Sequence, residues 1–212
     1  MTDKIRILQE QLGTIIKGKK EVTDKIIMAV LAKGHVLLED VPGVGKTTTA
    51  LALSRLMGMD FQRIQFTPDV VPSDVTGFTM YQKETGTFVY RPGVVMCNFL
   101  LADEINRTSS KTQAALLEVM EEGRVTVDGE THEVPKPFVV LATENPVGSS
   151  GTQMLPESQL DRFMVSLSMG YPDHESLVEI LRDRQDTNPL DHAETVVHKE
   201  ELLKLQEQVQ KV

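Results

Sequence analysis

A short apolar run that opens into a glycine loop constrains this chain more than any other segment. Residues 36–47 read Val-Leu-Leu-Glu-Asp-Val-Pro-Gly-Val-Gly-Lys-Thr, and helix-forming residues follow them. This strand, loop and helix order is typical of a phosphate-binding P-loop, in which backbone N–H groups and a helix N-terminus face phosphate oxygens. An ordinary glycine turn does not explain Lys-Thr at this spacing. The segment therefore predicts a nucleotide site.

Each residue type in the loop suits a separate part of a nucleotide. Gly43 and Gly45 allow close backbone approach to phosphate oxygens, Lys46 can reach the outer phosphates, and Thr47 can bind Mg²⁺. The pattern usually has a glycine six residues before the lysine, where this chain has Asp40. Aspartate tolerates unusual backbone angles better than most residues, so we expect the turn to be preserved.

Composition restricts the class of protein more loosely. The chain has 212 residues, of which 40% are hydrophobic and 25% charged, as in soluble globular proteins. Its net charge of -9 argues mildly against a large nucleic-acid surface, without excluding a local basic patch. The chain has a single cysteine, and its polar N-terminus lacks the layout of a signal peptide. No apolar run is long enough to cross a bilayer. Together these features predict a cytoplasmic protein without membrane insertion.

Apolar runs alternate with amphipathic segments along most of the chain. Strands are predicted at 36–39, 61–66, 98–102, 138–143 and 165–168, and those at 36–39 and 98–102 are interpreted as buried. Helices are predicted near 20–33, 48–57, 111–122, 174–184 and 199–211. Two hairpins interrupt this order, at 78–81 with 87–90 and at 125–127 with 131–134. We therefore predict an α/β fold with a parallel sheet that binds ligands at the carboxyl ends of its strands.

Polar residues follow two of these strands. Asp103 and Glu104 end one strand, where Asp103 can hold the hydration shell of Mg²⁺ and Glu104 can polarise the attacking water. Thr143 and Asn145 end the next, where they can contact the γ-phosphate or its water, although Asn-Pro is also a common turn starter. Arg162, near the end of a short helix, suits either a surface ion pair or the nucleotide of a neighbouring subunit.

Five segments in this order resemble the MoxR family of AAA+ ATPases over about residues 5–185. They read Val-Pro-Gly-Val-Gly-Lys-Thr, Leu-Leu-Ala-Asp-Glu-Ile-Asn-Arg, Lys-Thr-Gln-Ala-Ala-Leu-Leu-Glu-Val-Met, Ala-Thr-Glu-Asn-Pro and Leu-Pro-Glu-Ser-Gln-Leu-Asp-Arg-Phe. The resemblance implies a P-loop NTPase sandwich of three layers, with residues 74–95 and 124–137 as β-hairpin inserts. It implies an ATPase that uses ATP and Mg²⁺.

The resemblance also implies roles for individual residues. Lys46 and Thr47 match Walker A, Asp103 and Glu104 match Walker B, and Asn145 matches sensor 1. The catalytic set is then Glu104, Asn145 and Arg162, with Arg162 as an arginine finger acting in trans, and the metal ligands are Thr47 and Asp103. Cofactor binding is assigned to Pro42, Gly43, Val44, Gly45, Lys46, Thr47 and Thr48, and on the adenine side to Ile16.

Two domains follow from the same resemblance: a nucleotide-binding core over 1–170 and the start of a helical lid over 171–212. The family's complete lid carries a second sensor arginine, so we interpret the chain as truncated or as an incomplete gene product. Such a chain is expected to hydrolyse ATP poorly and to assemble weakly.

The leading functional hypothesis is an oligomeric ATPase, a hexameric ring in the family, that remodels partners such as von Willebrand factor A domain proteins. A nucleotide-binding module without turnover, a DNA-remodelling AAA+ ATPase and a small-molecule P-loop kinase are the alternatives. The kinase lacks an evident acceptor site, and the acidic charge makes nucleic acid a less favoured partner. His35, without a metal-ligand partner at suitable spacing, is interpreted as a structural or nucleotide-edge residue.

Overall fold

A five-stranded parallel sheet forms the centre of the molecule in the computed structural model, which describes residues 2–39, 43–145, 155–186 and 189–211 and, of these, all side chains but Thr2 and 183–186. The strands are β1 Val36–Glu39, β2 Phe61–Gln65, β3 Gly77–Gln82, β4 Thr87–Pro92, β5 Phe99–Asp103, β6 Arg124–Val127, β7 Glu130–Glu133, β8 Val139–Glu144 and β9 Val165–Leu167. The central sheet has the order β2-β5-β8-β1-β9. The predicted α/β fold with a parallel sheet is confirmed.

Helices cover both faces of this sheet. They are α1 Thr2–Ile15, α2 Lys20–Leu31, α3 Lys46–Leu56, α4 Pro72–Thr76, α5 Ser110–Glu122, α6 Glu157–Leu160, α7 His174–Asp186 and α8 Lys199–Val209, with 3₁₀ turns at Ile105–Arg107 and Pro189–His192. Helix α1 was not predicted from the sequence. Its signal was present, because Ile5, Leu8, Leu12 and Ile15 follow helical spacing and Leu8 and Leu12 are buried.

Alternate side chains of the central strands enter two separate hydrophobic clusters. Leu38 and Leu101 lie in the cluster with α1, α2 and α3. Leu37 and Leu100 lie in the cluster with α5. Every residue of β5 and β8 is buried. Because apolar groups fill both faces, the polar residues that end β5 and β8 are held at the carboxyl edge of the sheet.

The segment after residue 170 packs on the same core. Leu190, Val197, Leu202 and Leu205 belong to the cluster that contains α1, α2 and α3. The Gln206 side chain donates a 2.8 Å hydrogen bond to the carbonyl of Val30. The division into a core over 1–170 and a lid over 171–212 stays a prediction.

Both hairpins form where they were predicted. Strands β3 and β4 pair antiparallel, as do β6 and β7. The hairpins meet through Tyr90 and His132, whose rings stack with centroids 3.8 Å apart. Across the part of the chain that the structure describes, no helix is long and apolar enough to cross a membrane.

Candidate functional site

The glycine loop leaves open space in front of the first turn of α3. Gly43 and Gly45 have φ angles of 88° and 95°, in the left-handed region that glycine adopts without a Cβ penalty. A Cβ built on either residue would have no described heavy atom within 4 Å, apart from its chain neighbours. Helix α3 begins at Lys46, directly after Gly45. The N-terminus of a helix behind an open backbone loop is a site for phosphate.

Three strand ends meet this loop in one cleft, which we call the phosphate cleft. Its lining comprises Gly43, Gly45, Lys46, Thr47, Thr48, Arg63, Gln65, Asp103, Glu104 and Thr143. Parallel strands bring these groups together because their carboxyl ends share one edge of the sheet. The structure therefore gathers the predicted P-loop residues and the predicted acidic pair, which are separated by more than fifty positions in sequence.

Asp103 is buried at the inner wall of the phosphate cleft, with 6% of its surface exposed. Its Oδ1 accepts a 3.2 Å hydrogen bond from the Thr143 hydroxyl. Its Oδ2 accepts from Arg63 through Nε at 2.8 Å and lies 2.7 Å from Arg63 Nη2. Arg63 was not predicted as a site residue. No local sequence signal marks it, because its contact depends on the pairing of β2 with β5, which sets Gln65 beside Asp103 and Arg63 two positions earlier on the same face.

Glu104 adopts a backbone conformation that is unusual for a residue other than glycine. Its φ is 54°, in the left-handed region. Strained residues persist where their surroundings fix them, and they cluster at functional sites. Here the Glu104 N–H donates to Thr143 Oγ1 at 2.9 Å, and its Oε2 lies 2.7 Å from Arg107 Nη1. Thr143 thus links the carboxylate of Asp103 to the backbone of Glu104.

A second pair of carboxylates lies at the ends of β1 and β8. Glu39 and Glu144 are register partners in these parallel strands. Burial and the nearby charge of Glu39 raise the pKa of Glu144. Glu144 Oε1 has no hydrogen-bond partner among the described atoms, whereas Glu39 accepts a hydrogen bond from the Ser166 hydroxyl. Glu144 directly precedes Asn145, the residue predicted to contact the γ-phosphate or its water.

An apolar pocket adjoins the phosphate cleft and shares Gly45 and Thr48 with it. Its lining comprises Ile15, Ile16, Lys17, Lys19, Val44, Gly45, Thr48, Pro172, Ile180 and Pro189. Apolar walls beside a phosphate-binding loop suit a nucleobase, which buries its flat faces against hydrocarbon. The structure thus places Ile16, Val44 and Thr48, all named from the family resemblance, next to the predicted phosphate site.

Three predicted site residues belong to the described lining of neither the phosphate cleft nor the apolar pocket. Pro42 lies outside the described residues. Asn145 follows β8, and its carbonyl accepts a 3.2 Å hydrogen bond from Asn106. Arg162 Nη2 lies 2.8 Å from Glu121 Oε2 at the surface. Their predicted roles stay predictions.

His35 and Cys97 have structural surroundings. His35 Nδ1 accepts from the N–H of Val140 at 3.0 Å, and its Nε2 lies 3.1 Å from the carbonyl of Met120. Burial lowers the pKa of His35, which favours the neutral ring that these two contacts require. Burial raises the pKa of Cys97 to about 12. Neither side chain belongs to the described lining of the phosphate cleft.

The residues present fit a magnesium nucleotide. The open glycine loop and Lys46 suit a triphosphate, and the adjoining apolar pocket suits a base. Among the described residues, no group of three His, Cys, Asp or Glu side chains is placed to hold a metal ion. Thr47 and Asp103 are instead the kind of sparse ligand set that holds Mg²⁺ together with the phosphates of a substrate.

Comparisons with known proteins identify the family of this chain. Residues 35–165 match the model of the ATPase family associated with various cellular activities (AAA). The uncharacterized protein YeaC of Bacillus subtilis is 53% identical over 203 residues, which cover 96% of this chain and 63% of YeaC. Chaperone MoxR1 of Mycobacterium tuberculosis is 45% identical over 197 residues, which cover 93% of this chain and 52% of MoxR1.

A solved structure extends the agreement to three dimensions. The crystal structure of a candidate ATPase from Cytophaga hutchinsonii superposes with a TM-score of 0.89 at 40% sequence identity. The superposition covers 99% of this chain and 64% of the other. The chain therefore spans between half and two thirds of the length of these relatives.

Proposed function

We propose that this chain, which belongs to the MoxR family of AAA+ ATPases, binds ATP with Mg²⁺ and hydrolyses it within an oligomer that remodels partner proteins. The observation that supports this most is the phosphate cleft. It combines a phosphate-binding loop, Lys46 and Thr47 with the carboxylates of Asp103 and Glu104. A P-loop NTPase needs these groups for phosphoryl transfer to water.

Each group has a separate task in the proposed reaction. The loop N–H groups and Lys46 hold the phosphates, while Thr47 and Asp103 would hold Mg²⁺, whose charge screens the phosphate oxygens when bound. Glu104 orients and polarises the attacking water, and Asn145 contacts the water or the γ-phosphate. Thr143 links the carboxylate of Asp103 to the backbone of Glu104 through its hydrogen bonds to both.

Glu104→Gln tests the proposed hydrolysis directly. The amide keeps the size of the side chain but no longer polarises water, so ATP affinity should persist while turnover falls by about 100-fold or more. Equilibrium binding and steady-state phosphate release are measured on the same preparations, with and without DNA. Wild-type turnover by this variant would refute the proposal that Glu104 polarises the attacking water. Stimulation by DNA would favour the DNA-remodelling alternative.

Assembly enters the proposal through Arg162. In one chain its side chain is exposed and pairs with Glu121, a contact that contributes at most about 1 kcal/mol to stability. A finger that reaches a neighbour's nucleotide, as in the ring proposed for the family, accelerates hydrolysis by about 10³–10⁵-fold. A surface ion pair therefore predicts almost no effect of Arg162 on the rate of hydrolysis, whereas an arginine finger predicts a very large one.

Mixed oligomers test the finger in a form extended to the length of the relatives. Arg162→Ala and Lys46→Ala subunits should each be inactive alone and partly active when mixed, because some Arg162→Ala sites gain an intact arginine from a neighbour. Mixed rings without activity, or full activity of Arg162→Ala alone, would refute action in trans. Chaperone MoxR1 suggests a protein as the remodelled partner, and we extend this to von Willebrand factor A domain proteins.

A further inference from the structure

Arg63 binds the carboxylate of Asp103, which the proposed function assigns to Mg²⁺. Two of its nitrogens, Nε and Nη2, lie 2.8 and 2.7 Å from the same oxygen, Asp103 Oδ2. The other oxygen of Asp103 accepts from Thr143. Arg63 neutralises a carboxylate that is nearly buried, which would otherwise carry a large desolvation cost.

This contact competes with the proposed metal site. A carboxylate offers about four lone-pair positions, and Arg63 and Thr143 together occupy three at Asp103. A Mg²⁺ held by Asp103 would compete with Arg63 for the negative charge of this carboxylate. The guanidinium and the metal ion, both positive, would also repel each other in a partly buried cleft. Binding of Mg²⁺ at Asp103 therefore weakens the hold of Arg63 on Oδ2.

Once released from Asp103, the guanidinium would lie in the same cleft as the phosphates of a bound nucleotide. Arg63 lines the phosphate cleft together with Lys46 and Thr47. Its side chain is 48% exposed, so it can turn toward the cleft without disturbing a packed core. Arginine recognises phosphate oxygens through the same planar fork that it presents to a carboxylate.

We infer that Arg63 is a resident counter-ion that pairs with Asp103 and moves to the nucleotide phosphates when Mg²⁺ takes its place. This inference rests on the proposed function, because it needs ATP in the phosphate cleft. It differs from a purely structural ion pair in one respect. A structural pair only stabilises the fold. An exchanging arginine also determines the factor by which Mg²⁺ increases the affinity for ATP.

Calorimetric titration with ATP, once in EDTA and once in excess Mg²⁺, tests the exchange in Arg63→Gln. Without metal, ATP should bind the variant about 10-fold more weakly, because the Asp103 carboxylate, no longer neutralised by Arg63, repels the phosphates. Magnesium should then increase ATP affinity by a factor about 10-fold larger than in the wild type, since it no longer displaces Arg63. Arg124→Gln, which removes a hairpin arginine paired with Glu122, is the charge-matched control and should match the wild type.

Two failures are distinguishable in this experiment. If the wild type binds no ATP in either buffer, the proposed function fails and the inference fails with it. If the wild type binds ATP and Arg63→Gln gives the same affinities in EDTA and in Mg²⁺, Arg63 is a structural ion pair only. In that case the proposed function stands.

A double-mutant cycle with Asp103→Asn provides a readout without nucleotide. Arg63→Gln should lower the urea midpoint of the empty protein in the wild-type background and leave it almost unchanged in Asp103→Asn, where no charge needs compensation. Equal losses in both backgrounds would refute the counter-ion role. If Arg63→Gln does not fold, Arg63→Lys replaces it, and its metal-free ATP affinity should lie below that of the wild type because an ammonium lacks the guanidinium fork.

Discussion

The phosphate cleft and the pair of hairpins place polar and apolar groups in opposite ways. In the cleft, charged groups such as Asp103 lie at the edge of strands that are buried on both faces. In the hairpins, apolar side chains such as Phe88 and Tyr81 are exposed, Phe88 by 73%. Both regions contact the core, but the hairpins do so through few side chains, such as Val125 of β6, whereas every residue of β5 and β8 behind the cleft is buried.

This difference shows how each region is held. Residues of the cleft are positioned by strand register and by hydrogen bonds across neighbouring strands, as at Thr143. The hairpins rely on antiparallel pairing and a few ring contacts, among them Tyr81 with Phe88 at 5.2 Å and Tyr90 with His132. Substitutions behind the cleft should therefore affect the whole fold, while substitutions at exposed hairpin positions such as Phe88 should act locally.

Truncation of a central-strand leucine should have the largest effect. Leu101 is fully buried in β5, and Leu101→Ala should lower the free energy of unfolding by about 2–5 kcal/mol. Phe88→Ala, at an exposed hairpin position, should change it by less than about 0.5 kcal/mol. Urea denaturation of both variants measures the contrast, and equal losses would mean that the hairpins are part of the cooperative core.

Removal of one lysine from each region should separate their roles in nucleotide binding. Lys46→Ala should weaken ATP binding by about 100-fold, or about 2.7 kcal/mol, because a charged phosphate contact disappears from the cleft. Lys83→Ala, in the exposed turn of the first hairpin, should leave ATP affinity unchanged. Calorimetry measures both, and circular dichroism checks that each variant is folded. Wild-type affinity in a folded Lys46→Ala would refute the P-loop assignment.

Acid should destabilise the sheet through His35. Burial lowers the pKa of His35 in the folded state. As the pH falls, His35 is therefore protonated more readily in the unfolded chain than in the folded chain, which favours unfolding. Stability from this residue is complete above the unfolded pKa of about 6.5 and falls below it, by up to about 1.4 kcal/mol per pH unit. The loss of stability between pH 7.5 and 5.5 should thus be smaller in His35→Asn than in the wild type. Equal losses would exclude His35 as a source of acid sensitivity.

The smallest predicted effect concerns the contact between the hairpins. The stacked rings of Tyr90 and His132 should give a coupling energy of about 0.5–1 kcal/mol in a double-mutant cycle with alanine. Thermal unfolding of the four proteins measures it. The pair Tyr81 and Phe88, which lies within one hairpin, is the control for a ring contact that does not join the two. A coupling near zero between Tyr90 and His132 would mean that the hairpins are independent.

The sequence predicted the parts of the site that are local in the chain. A glycine loop between an apolar run and a helix, with Lys46 and Thr47 at its end, needs only neighbouring residues to be recognised. Asp103 and Glu104 were recognisable because they end an apolar run directly. The turn at Asp128-Gly129 was recognisable because hairpin turns depend on local backbone angles.

Tertiary structure alone decided the partners of these residues. Arg63 contacts Asp103 across 40 positions, Thr143 bonds to Glu104 across 39, and His35 bonds to Val140 across 105. Such contacts depend on which strands become neighbours and in which register, and side-chain periodicity within a strand does not encode the neighbour. The sequence by itself thus determined the chemical groups and their strand ends, whereas the order β2-β5-β8-β1-β9 determined which charges meet.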